Sequence, residues 1–146
     1  MQTRVNIHTT EPQAINAVFG LENYIAGTNL PKKLIHLIKV RASQINGCAF
    51  CINMHTREAI KDGETHKRLF LLDAWKETEL FTEEEQAVLQ LTEEMTLIHE
   101  GGVKDSTYGF METFFNYQEI SQIILVISTI NVWNRIAIST HMPLDD

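Results

Sequence analysis

From residue 11 to residue 140 the apolar side chains return every three or four positions, and nowhere is the strict alternation of a half-buried strand sustained. Helical and strand periods put the same residues on different faces, so a chain patterned this way has no apolar face to lay in a sheet. The reading is all-α, a bundle of about six or seven helices. Glu11 to Tyr24 carries Ile15, Val18, Phe19 and Glu22 at helical spacing. Pro31 suits the first turn of a second helix, whose broad stripe of Leu34, Ile35, Leu37, Ile38, Ala42 and Ile45 stops at Asn46-Gly47. A third helix starts at Cys48 and closes at Gly63, and a short fourth runs from Thr65 to Trp75. Thr82-Glu83-Glu84-Glu85 has the pattern of a capping box and opens a helix that continues to His99. Lys104 to Asn116 and Glu119 to Thr140 complete the set.

The last helix is apolar on more than one side. Ile120, Ile124, Ile127 and Ile130 line one face while Val126, Val132 and Ile136 occupy others. A surface helix normally shows a single stripe, so the excess means central burial or a subunit interface, and a homo-oligomer is the expectation. The run from Ile120 to Ile138 is interrupted by Ser121, Gln122, Ser128, Thr129, Asn131, Asn134 and Arg135, which argues for a buried helix and against a membrane anchor. Trp133, Asn134 and Arg135 read as lining a substrate entrance or an interface, with the interface favoured since Trp and Arg are enriched there.

At 146 residues and 44% hydrophobic content, with no linker or repeat, the chain reads as one domain spanning 1–146. Its twelve Lys and Arg are scattered against 19 Asp and Glu, for a net charge of −7, which excludes a nucleic-acid backbone as partner. The first eight residues hold one basic side chain and no apolar run, so no secretory signal is read and a cytoplasmic location is expected. In a reducing compartment, two cysteines three apart are redox-active or metal-binding more often than a structural bridge.

The chemistry lies in Gly47-Cys48-Ala49-Phe50-Cys51-Ile52-Asn53-Met54-His55. On a helix beginning near Cys48, the two sulfurs share a face and His55 lies one turn beyond Cys51. The helix N-terminus presents unpaired N–H groups and the positive end of the macrodipole, which favour thiolate over thiol. Ionisation alone achieves little. Lowering a thiol pKa from about 8.5 to about 7 raises the ionised fraction roughly 16-fold, and the accompanying loss of nucleophilicity removes about 5-fold of that. A proton donor to the leaving group, worth about 10² to 10⁴, must therefore contribute, and His55 is the candidate.

Cβ atoms three apart in a regular helix lie about 5 to 6 Å from one another, too far for a disulfide, so the first turn has to give. Cys48, just after Asn46-Gly47, is where it can. Cys51 beside His55 is then the attacking sulfur and Cys48 the resolving one. Two plainer readings stand beside this: two buried cysteines packed as small apolar residues, and zinc held by Cys48, Cys51 and His55, which lacks a fourth ligand. No cofactor is called for.

The stretch Val40-Arg41-Ala42-Ser43-Gln44-Ile45-Asn46-Gly47-Cys48-Ala49-Phe50-Cys51, with His55, Ala59 and Gly63 after it, resembles the redox branch of the alkylhydroperoxidase D (AhpD) and carboxymuconolactone decarboxylase family. Asn131-Val132-Trp133-Asn134-Arg135 is also similar to members of that branch. The resemblance implies an AhpD-like helical bundle assembled into trimers or hexamers. It implies a peroxidase in which the second cysteine reduces a hydroperoxide and the first resolves it, with electrons returned by a dithiol-bearing protein. The decarboxylase branch lacks the cysteine pair, so lactone decarboxylation is disfavoured. Twelve positions before the first cysteine the family pattern has a proton-relaying glutamate, where this chain has His36, an imidazole also able to accept and donate a proton. Phe50 stands where better-defined peroxidase members carry a histidine.

The candidate site is therefore Cys51, Cys48 and His55, with His36 as a relay candidate; His8, His66, His99 and His141 read as solvated or capping. The expected function is a thiol-dependent hydroperoxide reductase. The alternatives are a redox-responsive oligomer or disulfide reductase without peroxidase turnover, and a lyase.

Overall fold

In the computed structural model, which describes residues 1–145, α3 (Lys32–Asn46) and α8 (Tyr117–Thr140) form the centre against which the other helices pack. In chain order the helices are α1 (Ile7–Thr10), α2 (Pro12–Ala26), α3, α4 (Ala49–Lys61), α5 (His66–Phe70), α6 (Glu83–Thr96), α7 (Asp105–Phe114) and α8. Short 3-10 segments occupy Leu72–Glu77 and Ile98–Glu100, and there is no strand among the described residues.

The architecture is all-α as expected, but the sequence count of about six or seven helices falls short. The four residues of α1 are too few to show a period. The segment read as one helix from Thr65 to Trp75 breaks into α5 and a 3-10 turn at Leu71–Leu72, with Ala74 non-helical at φ −113° and ψ 26°.

Local chemistry sets most helix ends. Thr82 accepts from the Glu85 N–H at 3.2 Å and Glu85 returns a bond to the Thr82 N–H at 3.1 Å, the reciprocal box expected at the start of α6. Asn116 and Glu119 make the same arrangement, so α8 begins at Tyr117, two residues before the sequence reading placed it. Gly47 ends α3 in the left-handed conformation, φ 69°. Its N–H bonds to the Gln44 carbonyl and the next N–H, that of Cys48, reaches the Ser43 carbonyl at 2.9 Å.

The main core is where α8 meets α3, α6 and α7. Ile120, Ile123, Val126, Ile127 and Ile130 interlock with Leu34, Ile38, Ala42, Val88, Leu91 and Met111. Each of the larger side chains contributes about 1.5–3 kcal/mol on leaving water. A second cluster, Leu37, Val40, Ala59, Leu72, Trp75, Phe81 and Leu89, fills the space between the other side of α3, α4 and the 3-10 turn. α8 is long and apolar enough to cross a membrane by length and composition. In the fold its inner faces are covered by protein, which accounts for Val126 and most of the isoleucines, while Val132 and Ile138 stay exposed.

Candidate active site

Cys48 belongs to two helices at once. Its N–H closes the end of α3, and its sulfur caps the start of α4 by accepting from the Cys51 N–H at 3.3 Å. The backbone of Cys48 is extended, φ −85° and ψ 96°, so it stands outside the helical ladder that Ala49 begins. That departure brings the Cα atoms of Cys48 and Cys51 to 5.3 Å, within disulfide range, and the two sulfurs are joined.

α3 itself is anchored near this junction by a partly buried polar ladder from α8. Asn46 donates to Asn131 at 3.0 Å and to Asn134 at 2.9 Å, and Asn134 donates to Ser43 at 3.0 Å. Asn134 is fully buried inside the fold, so the interface expected for it does not apply. Breaking one such bond while leaving its partner buried costs about 1–3 kcal/mol.

Cys51 is 1% exposed, yet it lines a cavity of about 330 Å³. Met54, His55 and Glu58 line it from the same helix, and Phe50, Phe19, Trp133 and Met142 supply apolar walls. His55 is 4% exposed. Its Nδ1 lies 3.1 Å from a Glu58 carboxylate oxygen, and its Nε2 is buried without a hydrogen-bond partner. A carboxylate only accepts, so Nδ1 carries the hydrogen, and whenever the ring is uncharged the Nε2 lone pair is free. The hydrogen bond from His55, together with the charges of His55, Lys39 and His36, holds the Glu58 carboxyl below its ordinary value despite partial burial.

The remaining wall comes from residues distant in sequence. Glu22 on α2 accepts from the Trp133 indole at 3.0 Å and from Lys39 at 2.8 Å. Trp133, for which the sequence favoured an interface over a substrate entrance, lines this cavity. Its ring sits 5.1 Å from Phe19 and stacks on His8 at 6.4 Å. Sequence reasoning did not single out Lys39, Glu58 or Met142, and took Phe19 and Glu22 only as part of a helical stripe. Glu58 alone carried a local signal, since it lies three residues after His55 on the same helix.

His36 lies elsewhere. It pairs with Asp62 at 2.7 Å and lines a neighbouring cavity with Lys32, Leu30 and Asn29; it is not among the residues lining the Cys51 cavity. Glu22 and Lys39 form the wall common to the two cavities. The Asp62 carboxyl is held below its ordinary value by the His36 hydrogen bond. Cys48, by contrast, opens onto a third cavity, of about 460 Å³, with Gly47, Ala49, His141 and Met142. Phe50 lines this cavity and the Cys51 cavity alike. Among the described residues no group of three or more His, Cys, Asp or Glu side chains is placed to hold a metal ion.

Residues 12–94, more than half of the chain, match the model of the carboxymuconolactone decarboxylase family. The chain belongs to that family. Within it, the uncharacterised protein YdfG of Bacillus subtilis (strain 168) is 38% identical over 139 residues, 95% of each chain. The crystal structure of ATU0492 from Agrobacterium tumefaciens, a protein of unknown function for which an AhpD-type antioxidant-defence role has been suggested, superposes with a TM-score of 0.96. That match is at 39% identity over 99% of both chains. The alkylhydroperoxidase AhpD core of an uncharacterised peroxidase-related protein from Ralstonia eutropha JMP134 superposes at 0.83. It covers 95% of this chain and 74% of that one, and at 16% identity it shares the fold. This member of the family is AhpD-like, with the cysteine pair of the redox branch in place.

Proposed function

We propose that the protein is a thiol-dependent hydroperoxide reductase. One arrangement carries the reading: Cys51 shares its cavity with a buried imidazole whose Nδ1 is committed to Glu58 and whose Nε2 has no partner. In the reduced protein His55 takes the Cys51 proton, and the thiolate attacks the terminal oxygen of a hydroperoxide. The O–O bond breaks, the protonated imidazole gives its proton to the leaving alkoxide, and an alcohol and a Cys51 sulfenic acid result. The Cys48 thiol then condenses with the sulfenic acid, forming the disulfide and releasing water. Two electrons from a dithiol-bearing protein partner regenerate the thiols. A cytoplasmic setting and assembly of three or six copies belong to the same reading, with Leu21, Tyr24, Val132 and Ile138 as exposed apolar side chains for such an assembly to cover.

The test is stopped-flow oxidation of the reduced protein by an organic hydroperoxide. Cys51→Ser should lose rapid oxidation, and Cys48→Ser should react once and halt at a sulfenic acid that dimedone traps. Equal rates in wild type and both variants would overturn the proposal. The same sulfur pair fits a second reading, a redox-responsive oligomer without turnover, in which oxidation is slow and stoichiometric and shifts the gel-filtration profile.

A further inference from the structure

The two sulfurs of the disulfide face different cavities. Cys51 faces the one lined by His55 and His8, and Cys48 faces the one lined by His141. Leaving-group chemistry does not separate them, because both sit at the positive end of α4. Both are 1% exposed, so what separates them is the walls of each cavity and the imidazole each sulfur faces. Attack on Cys48 expels Cys51 as a thiolate next to the unpartnered Nε2 of His55, whereas attack on Cys51 would have to come past the aromatic walls of Phe19 and Trp133.

His141 ends α8 in the left-handed conformation, at φ 52° and ψ 51°. Its N–H bonds to the Ile138 carbonyl and the next N–H, that of Met142, to the Ala137 carbonyl, so an ordinary helix cap fixes its backbone beside the Cys48 cavity. Its Nδ1 lies 3.2 Å from the Gln2 carbonyl, which can only accept, so the hydrogen is on Nδ1 and the Nε2 lone pair is free in the neutral ring.

We infer that the disulfide is reduced through Cys48, from the His141 cavity, so that peroxide and reductant reach the sulfur pair from separate sides. This deepens the proposed function and rests on it for the role of Cys51. His141 accepts the proton of the incoming thiol. The resulting thiolate attacks the Cys48 sulfur, the bond between Cys48 and Cys51 breaks, and Cys51 leaves as a thiolate with the electron pair. The second thiol of the dithiol loses its proton, which passes through solvent and the Nε2 of His55 to Cys51, and attacks the mixed disulfide. The reductant departs as its own disulfide and Cys48 is released to take the proton held by His141. The protein gains two electrons and two protons.

The experiment begins with protein oxidised by diamide, so its outcome does not depend on peroxide turnover. Brief exposure to 2-mercaptoethanol, acid quench, N-ethylmaleimide labelling and fragment mass spectrometry locate the adduct. The expected result is the mercaptoethanol adduct on Cys48 and the maleimide label on Cys51; an adduct chiefly on Cys51 overturns the inference.

His141→Asn, which keeps a residue tolerant of the left-handed conformation, should slow reduction by dithiothreitol at least about tenfold. Added imidazole should restore that rate, and oxidation of the reduced thiols by hydroperoxide should stay within about twofold of wild type. Unchanged reduction, or equal slowing of both half-reactions without imidazole rescue, removes His141 from the mechanism. Failure of the proposed peroxidase reading would instead appear as slow oxidation with the Cys48 adduct intact.

Discussion

Trp133 and Glu22, 111 positions apart, are joined by a 3.0 Å hydrogen bond in the wall of the Cys51 cavity. The same carboxylate holds Lys39, which is only 9% exposed. A charge that far from water is tolerated because it is paired, and removing one partner leaves the other uncompensated. Glu22→Ala should lower stability by about 3 kcal/mol, read as a shift of the urea midpoint at constant slope. Combining Glu22→Leu with Lys39→Met should recover most of that loss. A double variant as unstable as the single one would show that the pair is not the cause.

Glu58 is about half exposed at its side chain, so its pair with His55 should contribute only about 0.2–1 kcal/mol. Its carboxyl is held below the ordinary value in the folded protein, first by the His55 hydrogen bond. The contribution is therefore complete above the unfolded carboxylate pKa and is lost as pH falls through the folded one. Glu58→Gln should be less stable than wild type at pH 7 and indistinguishable from it near pH 3, by urea titration at each pH. The variant should also oxidise more slowly at pH 7, by less than the roughly 10²-fold or greater loss expected on removing the imidazole itself.

Two glycines should respond in opposite directions. Gly47 has φ 69° with open space around an added Cβ, so Gly47→Ala costs backbone strain of about 1–2 kcal/mol. Gly20 lies inside α2, also with nothing within 4 Å of an added Cβ, and Gly20→Ala should stabilise by about 0.5–1 kcal/mol. Thermal melts of the two variants check both signs.

His36→Gln should leave hydroperoxide oxidation of Cys51 within about threefold of wild type, well short of the roughly 10²-fold or greater effect of losing a general acid or base. The reason is position: His36 faces Asp62 in the neighbouring cavity. A larger loss in stopped-flow oxidation would place His36 back in the proton path.

What could be read along the chain was whatever depends on neighbours within about one helical turn. The all-helical pattern, the box at Thr82 and Glu85, the break at Gly47, and the placement of Cys48 outside the ladder with Cys51 and His55 following it are all of this kind. The short helix α1 and the 3-10 break at Leu71–Leu72 escaped notice because a turn or two of chain shows no measurable period.

The cavity itself was beyond the reach of sequence patterning. Glu22, Lys39, Phe19, Trp133 and Met142 come from α2, α3, α8 and the residues after it, and only the packing of α8 across α2 and α3 brings them to one sulfur. The same packing sent Asn134 inward to bind Ser43 and Asn46, turned Trp133 toward Glu22, and set His36 beside Asp62 on the next cavity. Periodicity states which side of a helix is buried, but not which helix covers it or what polar group waits there. Sequence alone thus determined the helices and the sulfur–imidazole spacing, because those are local. The tertiary structure decided which cavity each sulfur faces, because that depends on contacts between residues a hundred positions apart.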